Sequence, residues 1–340
     1  MTNAMIPGSG DLVPVAERFL LYRSPSTDGA ASFAEDVRDG LDGDPKRLSP
    51  KYFYDDLGSA LFEAICHLPE YDLTRNEREI FDAHADDIVS ALGEPLELIE
   101  LGSGSGKKTR LLIEAILRRQ DALAYHPIDI SPGALTASVP ALLASYERLS
   151  VSAYASDYFD VLAARRIEPE RRALVLFLGS NIGNYAPIEA RRLLHALAAA
   201  FKPGDALLLG ADLKKEPRVH EAAYDDPTGV TAAFNKNLLA RINRELGADF
   251  DLRSFDFTAR YDVMRGAVES YLRSRNAQRV RVEALEREYA FAAGEPIHTE
   301  SSYKFSVEDV IALASETGFR LASDWTDSGR RFLVSLLVRA

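Results

Sequence analysis

The sequence predicts an α/β fold built on a mostly parallel sheet, and three observations carry that prediction. Apolar runs at 96–101, 125–130, 151–157, 173–179 and 206–210 alternate with stretches of helical period, the pattern of successive strand–helix units. The run from Ala173 to Gly179 (ALVLFLG) is apolar throughout, as a strand covered on both faces should be. Two final strands, 320–326 and 332–338, are joined across Asp327-Ser328-Gly329, too short for a crossover, so they form an antiparallel hairpin.

The elements follow in order. Residues 1–12 read as a loose end, and the remainder up to 50 as a weakly structured lead-in with a helix around Phe33–Leu41. Arg75–Leu92 is a helix, with Ile80, Ala83, Asp87 and Ala91 tracing one face until Gly93-Glu94-Pro95 stops it. Lys108–Arg119 places Leu111, Leu112, Ala115 and Ile116 on one face. Ser131 caps a helix running toward Arg148, and Pro187 opens another that ends near Phe201. Beyond Lys214 the pattern changes. A helix at 229–246 is followed by amphipathic strands at 268–273, 279–285 and 288–293, with no run as apolar as the earlier ones. Ser306-Val307-Glu308-Asp309 resembles a capping box opening a last helix to Thr317. These patterns divide the chain into a sheet domain, 74–214 with 304–340, and a smaller α+β domain made from residues 1–73 and an insertion at 215–303. The active site is expected in the cleft between the two.

Composition narrows the function classes. The 340 residues carry 40 Lys and Arg against 52 Asp and Glu, a net charge of −12, which weighs against phosphate neutralisation and therefore against nucleic acid as a partner. The single cysteine, Cys66, excludes an intrachain disulfide and multi-cysteine metal sites, and the six histidines show no ligand spacing, so no metal is expected. Residues 1–20 lack the basic-then-apolar order of a leader, and no apolar run approaches the ~20 residues of a membrane span. A cytoplasmic protein without membrane partners is the expectation, and a monomer.

The chemistry-bearing motif is Glu100-Leu101-Gly102-Ser103-Gly104-Ser105-Gly106-Lys107-Lys108-Thr109, between the first strand of the alternating run and its helix. Glycines let the backbone approach a ligand closely, and the helix start favours anionic or polar groups. A dinucleotide fingerprint needs glycine where Lys107 stands. A phosphate-binding P-loop needs four residues between its glycines and Ser or Thr directly after the lysine, and neither holds here. The pattern fits the E/D-x-G-x-G-x-G loop of S-adenosylmethionine-dependent methyltransferases; a ligand-free turn is the alternative. Asp129 ends the next strand, where a carboxylate can take ribose hydroxyls. Asp157 ends the one after, where it can accept from an adenine amine. The closing hairpin also suits a class I (Rossmann-like) methyltransferase sheet. In that fold the loop Leu178-Gly179-Ser180-Asn181-Ile182-Gly183-Asn184 faces the transferred methyl, and Asn184 could bind a carboxylate or an amine.

Several longer blocks are more specific. Pro50-Lys51-Tyr52-Phe53-Tyr54-Asp55, Leu68-Pro69-Glu70-Tyr71, the ELGSG loop, Phe177–Ser180 with Ile182-Gly183-Asn184, Ala223-Tyr224-Asp225-Asp226-Pro227, Phe234-Asn235, Ile242–Leu246 and Thr299-Glu300 with Lys304-Phe305 resemble the histidine N-alpha-methyltransferases of ergothioneine biosynthesis, from about Leu48 to the C-terminus. The resemblance implies methylation of the α-amine of L-histidine by S-adenosylmethionine, giving the trimethylated betaine hercynine. It implies that Tyr54, Gly102, Lys108, Asp129, Asp157 and Tyr158 surround S-adenosylmethionine, with Tyr158 standing where the family usually has Phe. It implies that Asn184 and Tyr224 hold the carboxylate, that Tyr71, Glu300 and Ser302 read the imidazole, and that Tyr54, Asn184 and the Gly179 carbonyl border the amine. Tyr54 and Asn184 are thus the residues nearest the reaction. Two positions depart from the family pattern: Asn181 replaces a Thr, and Ser270 replaces a Met expected in the substrate pocket. A methyltransferase for tryptophan or another small amine, or a non-catalytic S-adenosylmethionine-binding module, is the competing reading.

Overall fold

The computed structural model describes residues 12–24, 29–93, 95–104 and 106–340. The loose end expected over 1–12 therefore lies outside the described residues except for Leu12, as does Ser105 of the glycine loop. Along the chain, β1 (Val13–Ala16) and β2 (Phe19–Arg23) precede α1 (Gly29–Asp42) and α2 (Asp56–Ile65). The helix α3 (Leu73–Ser90) leads into β3 (Leu96–Leu101), α4 (Thr109–Leu117), β4 (Leu123–Asp129), α5 (Pro132–Ser145) and β5 (Leu149–Ala155). Then come α6 (Tyr158–Ala163), β6 (Arg172–Phe177), α7 (Pro187–Ala200) and β7 (Ala206–Asp212). The next stretch holds α8 (Pro217–Tyr224), α9 (Val230–Leu246), β8 (Phe255–Asp262), β9 (Ala267–Ser274), β10 (Gln278–Val282), β11 (Arg287–Phe291) and β12 (Pro296–Tyr303). The chain closes with α10 (Val307–Glu316), β13 (Phe319–Thr326) and β14 (Phe332–Arg339).

The chain divides into two compact units. The first contains the described residues up to 24, with 75–213 and 305–340. Its nine-stranded sheet has the order β1-β2-β5-β4-β3-β6-β7-β14-β13. From β2 to β7 neighbouring strands run parallel, while β14 is antiparallel to both β7 and β13, as the short joint requires. Every residue of β3 and β7 is buried, because helices cover both sheet faces. Ile99, Leu101, Val175, Phe177, Leu207 and Leu209 pack with Leu193, Leu194 and Leu197 of α7 in one continuous apolar core. Strand order reverses at β3, with β4 on one side and β6 on the other, so the carboxyl ends there open a crevice suited to a ligand.

The N-terminal strands differ from expectation. Residues 1–73 were assigned to the second domain, yet β2 pairs in parallel with β5 and β1 pairs with β2. Both strands are short, and β1 is largely exposed, so their sequence carries only a weak apolar period.

The second unit contains the described residues of 26–74 together with 214–304. It holds an antiparallel sheet of order β12-β9-β8 and the hairpin β10-β11. The helix α9 buries Phe234, Leu238, Leu239 and Ile242, along with Asn235 and Asn237. The insertion does contain a largely buried strand, contrary to the sequence reading. β9 is enclosed along most of its length although it carries Glu269, Ser270 and Ser274, and those polar residues masked it. Its partner β12, to which the sequence reading assigns no element, pairs Glu300 with Ser270 and Ser302 with Val268. Among the described residues, no helix is long and apolar enough to cross a membrane.

Candidate functional site

The glycine loop lies at the strand-order reversal of the first unit. Gly102, Gly104 and Gly106 all adopt positive φ, +72°, +50° and +63°, which glycine accepts without steric cost. Gly102 N–H donates to the Ile128 carbonyl at 2.8 Å, tying the loop to the end of β4. The Asp129 carboxylate accepts from Gly104 N–H at 2.8 Å and from Ser131 N–H at 2.9 Å. Burial raises its pKa, and the two backbone bonds oppose that rise. Among the described residues beyond its chain neighbours, no heavy atom lies within 4 Å of the place a Cβ on Gly104 would occupy. An open backbone face beside a fixed carboxylate fits a nucleoside whose ribose offers hydroxyl donors.

Glu100, the first residue of the motif, has a different role. It is buried, with the Thr109 hydroxyl 2.8 Å from both its oxygens and the Tyr125 hydroxyl donating to it. Burial pushes its pKa up to about 7, against the pull of those two hydrogen bonds. It braces β3, β4 and the start of α4 and so sets the loop's shape.

Lys108 is held by a residue the sequence reading missed. Its ammonium pairs with Glu77, whose side chain is fully buried on α3. The other Glu77 oxygen accepts the Gly179 N–H at 2.7 Å, which links the glycine loop to the loop after β6. Gly210 makes room for this carboxylate, since a Cβ there would stand 2.4 Å from the Glu77 oxygen. A signal was present: Glu77 precedes Ile80 and Phe81 by three and four residues, so a charge sits on the helix's apolar face.

The loop after β6 is tightly wound. Gly179 and Ser180 both adopt left-handed φ, +71° and +58°. The Ser180 hydroxyl accepts from the Asp212 N–H at 2.9 Å, which supports that conformation at a non-glycine residue. The Asn181 amide nitrogen would stand 3.1 Å from a Cβ on Gly102, so this departure from the family pattern falls on a contact with the glycine loop. Asn184 ends the following 3-10 turn, half-buried. Asp157 caps α6 by accepting the Phe159 N–H at 2.7 Å. Tyr158 packs on Phe159 and Phe177, with ring centroids 5.2 and 6.0 Å away, and its hydroxyl meets that of Tyr185. Gly102, Lys108, Asp129, Asp157, Tyr158, Gly179 and Asn184 thus all belong to loops or helix starts at the carboxyl ends of β3–β6.

The second unit gathers the remaining expected residues. Tyr54 stands edge-on to Phe62 and Phe234, at 5.6 and 5.7 Å, and Phe62 meets Tyr71 at 6.2 Å. Tyr71 lies edge-on to Tyr224 at 6.2 Å. Burial, with smaller contributions from Tyr224, Cys66, Tyr54 and Glu300, raises the Tyr71 pKa well above the usual phenol value, so its hydroxyl stays protonated. The Tyr224 and Ser302 hydroxyls are hydrogen-bonded at 2.7 Å, and the buried Lys304 ammonium donates to each at 2.9 Å. Glu300 is half-buried on β12, and burial raises its pKa to about 7 against the attraction of Lys304 and His298. Beneath it, the Thr299 hydroxyl donates to Asn235 at 2.7 Å, fixing the strand against α9.

The expected residues fall in both units. Tyr54 belongs to the second unit, while the other expected cofactor residues belong to the first. Asn184 and Tyr224, expected as one carboxylate clamp, are likewise in different units. Ser302, expected at the imidazole, shares a hydrogen bond with Tyr224, expected at the carboxylate. Lys304, just past the end of β12, has no role in the sequence reading; its spacing of two residues from Ser302 and four from Glu300 is the available signal. Cys66 is half-buried at the end of α2. Among the described residues no group of three or more His, Cys, Asp or Glu side chains is placed to hold a metal ion.

A parallel sheet reversing at β3, a glycine loop with an acid at the end of the next strand, and an antiparallel last strand define a class I S-adenosylmethionine-dependent methyltransferase. A family model described as histidine-specific methyltransferase, SAM-dependent, matches residues 33–339. The histidine N-alpha-methyltransferase of Mycolicibacterium smegmatis is 44% identical over 310 residues, which cover 91% of this chain and 96% of that protein. Its counterpart in Mycobacterium tuberculosis is 42% identical, covering 92% and 96%. Ergothioneine biosynthesis protein 1 of Schizosaccharomyces pombe is 29% identical over 82% of this chain and 37% of its own length. The chain belongs to the histidine-specific, S-adenosylmethionine-dependent methyltransferase family.

Proposed function

We infer that this protein methylates the α-amino group of L-histidine up to the trimethyl betaine, the first step toward ergothioneine. The observation that carries this reading is the 44% identity to a histidine N-alpha-methyltransferase over nearly the whole of both chains. S-adenosylmethionine supplies a sulfonium-bound, electrophilic methyl group. Gly102, Lys108, Asp129, Asp157 and Tyr158, with Tyr54, are assigned to holding it. Asp129 would accept from the ribose hydroxyls, and the open Gly104 backbone leaves room beside it.

Displacement at the methyl needs a free amine lone pair on the line of the breaking bond, so alignment is the protein's main contribution, worth up to ~7–11 kcal/mol. A strong base is unnecessary, because an α-amine with a pKa of about 8 to 9 is partly neutral near neutral pH. Asn184 and Tyr224 are assigned to the carboxylate, and Tyr54, Asn184 and the Gly179 carbonyl to the amine. The face of Tyr54 suits an amine that grows more basic and bulkier as methyls are added, and Tyr71 and Ser302 are assigned with Glu300 to the imidazole. Glu300 is assigned to the imidazole N–H. A negative charge there repels a carboxylate, which orients the amino acid. We assign no metal to this displacement, and take the protein to be a cytoplasmic monomer.

Mass spectrometry of the twenty amino acids, each incubated with the protein and S-adenosylmethionine, tests the reading. Histidine alone should gain up to three methyl groups, all on the α-nitrogen. Ring-nitrogen methylation, or a product from tryptophan, would overturn the substrate assignment.

A further inference from the structure

The Glu77 side chain is fully buried, and no step described so far uses its charge. A buried carboxylate is tolerated where it is both paired and hydrogen-bonded, and Glu77 meets both conditions with a separate oxygen for each. Oε1 accepts the Gly179 N–H at 2.7 Å, and Oε2 takes the Lys108 ammonium. Gly210 on β7 makes the space for it, since a Cβ there would stand 2.4 Å from Oε1 and 3.2 Å from the Phe332 ring. Two other acids of this region bond elsewhere, Glu100 to the Thr109 and Tyr125 hydroxyls and Asp129 to the Gly104 and Ser131 N–H groups. Glu77 is the acid paired with Lys108.

The ammonium that Glu77 holds lies close to the chemistry. Lys108 Nζ is 3.2 Å from the place a Cβ on Gly179 would occupy, and the Gly179 carbonyl is assigned to the amine that receives the methyl. Lys108 itself is assigned to the cofactor. The reacting centre is cationic on both sides of the transfer, a sulfonium before it and a methylated ammonium just after. An uncompensated lysine nearby would repel both. The Lys108 side chain is only 26% exposed, so water screens that repulsion less than it would in bulk solvent. We propose that Glu77 is a positioning residue that ties Lys108 to the Gly179 loop and cancels the lysine's charge, so that Lys108 can serve the cofactor without penalising its sulfonium. This rests on the S-adenosylmethionine assignment given above and adds the residue that lets a cation serve a cationic cofactor.

The test reads a ratio of two affinities. S-adenosylmethionine carries the sulfonium and S-adenosylhomocysteine a neutral thioether, and the rest of the molecule is shared. Glu77→Gln keeps the size and one acceptor and removes the charge. In calorimetry without an acceptor substrate, this variant's affinity for S-adenosylmethionine should fall about tenfold further than its affinity for S-adenosylhomocysteine. Adding Lys108→Met removes the stranded cation, so the double variant should return the ratio to within about twofold of wild type even though both ligands lose the Lys108 contact. Lys108→Gln alone keeps an N–H donor for Glu77 but leaves the carboxylate in excess, and should shift the ratio the opposite way, toward S-adenosylmethionine. This variant decides the matter if Glu77→Gln does not fold. Equal losses for the two ligands in Glu77→Gln, or an unchanged ratio in Lys108→Gln, would make Glu77 a structural link alone and overturn the proposal. A wild-type protein that binds neither ligand would instead overturn the cofactor assignment, and the proposal with it.

Discussion

Replacing Glu300 by Ala removes the acceptor assigned to the imidazole N–H, and the structure sets both the size and the pH dependence of the effect. A hydrogen bond to a charged acceptor is worth about 1.5–3 kcal/mol, or roughly 10- to 150-fold in KM. That full value applies only while Glu300 is ionised. Its pKa is raised to about 7 by burial, so the ionised fraction is about nine-tenths at pH 8 and about one-tenth at pH 6. The ratio of wild-type to variant kcat/KM should therefore fall about tenfold between pH 8 and pH 6. Taking the ratio cancels the titration of the substrate's own ring and amine, which both proteins share. Initial rates of S-adenosylhomocysteine formation, measured across that range with histidine varied, give the numbers. The variant should also admit larger apolar rings such as tryptophan, because the charge that penalised them is gone. A pH-independent ratio, or histidine kinetics unchanged in Glu300→Ala, would refute the assignment. Ser270, opposite Glu300 on β9, would then be the first residue to substitute.

Asp129→Ala should weaken S-adenosylhomocysteine binding by about 1.5–3 kcal/mol in calorimetry; equal binding would remove the ribose assignment, and selective binding of NAD would sink the cofactor reading. Activity should survive EDTA, and loss that zinc restores would establish a metal requirement. Folded Glu100 keeps its proton up to about pH 7, whereas an unfolded carboxyl loses it near 4.5, so its contribution to stability is complete below 4.5 and is lost by about 3 kcal/mol as pH rises to 7. Urea melts of Glu100→Gln at stepped pH should show that decline flattened, and an unchanged slope would show that Glu100 does not titrate in that window.

What the sequence determined was whatever local pattern encodes. The strands β3, β6 and β7 were legible because burial on both faces demands an unbroken apolar run. The antiparallel hairpin followed from the length of its joint, and the Ser306 cap from reciprocal bonds that Ser306 and Asp309 do form, at 3.1 and 2.8 Å. The glycine loop and Asp129 were legible because positive φ and a strand-end acid leave marks in residue type. Tertiary structure alone decided the rest. β1 and β2 join the sheet through pairing with β5, a long-range contact that four- and five-residue strands do not announce. β12, which carries Glu300 and Ser302, leaves no apolar strand signal because its polar side chains bond to one another and to neighbouring elements instead of to water. Glu77 and Lys304 are buried charges met by partners distant in the chain, Lys108 and Gly179 for one and Tyr224 for the other. A charge can be buried only where such partners meet it, and their meeting is a property of the folded chain.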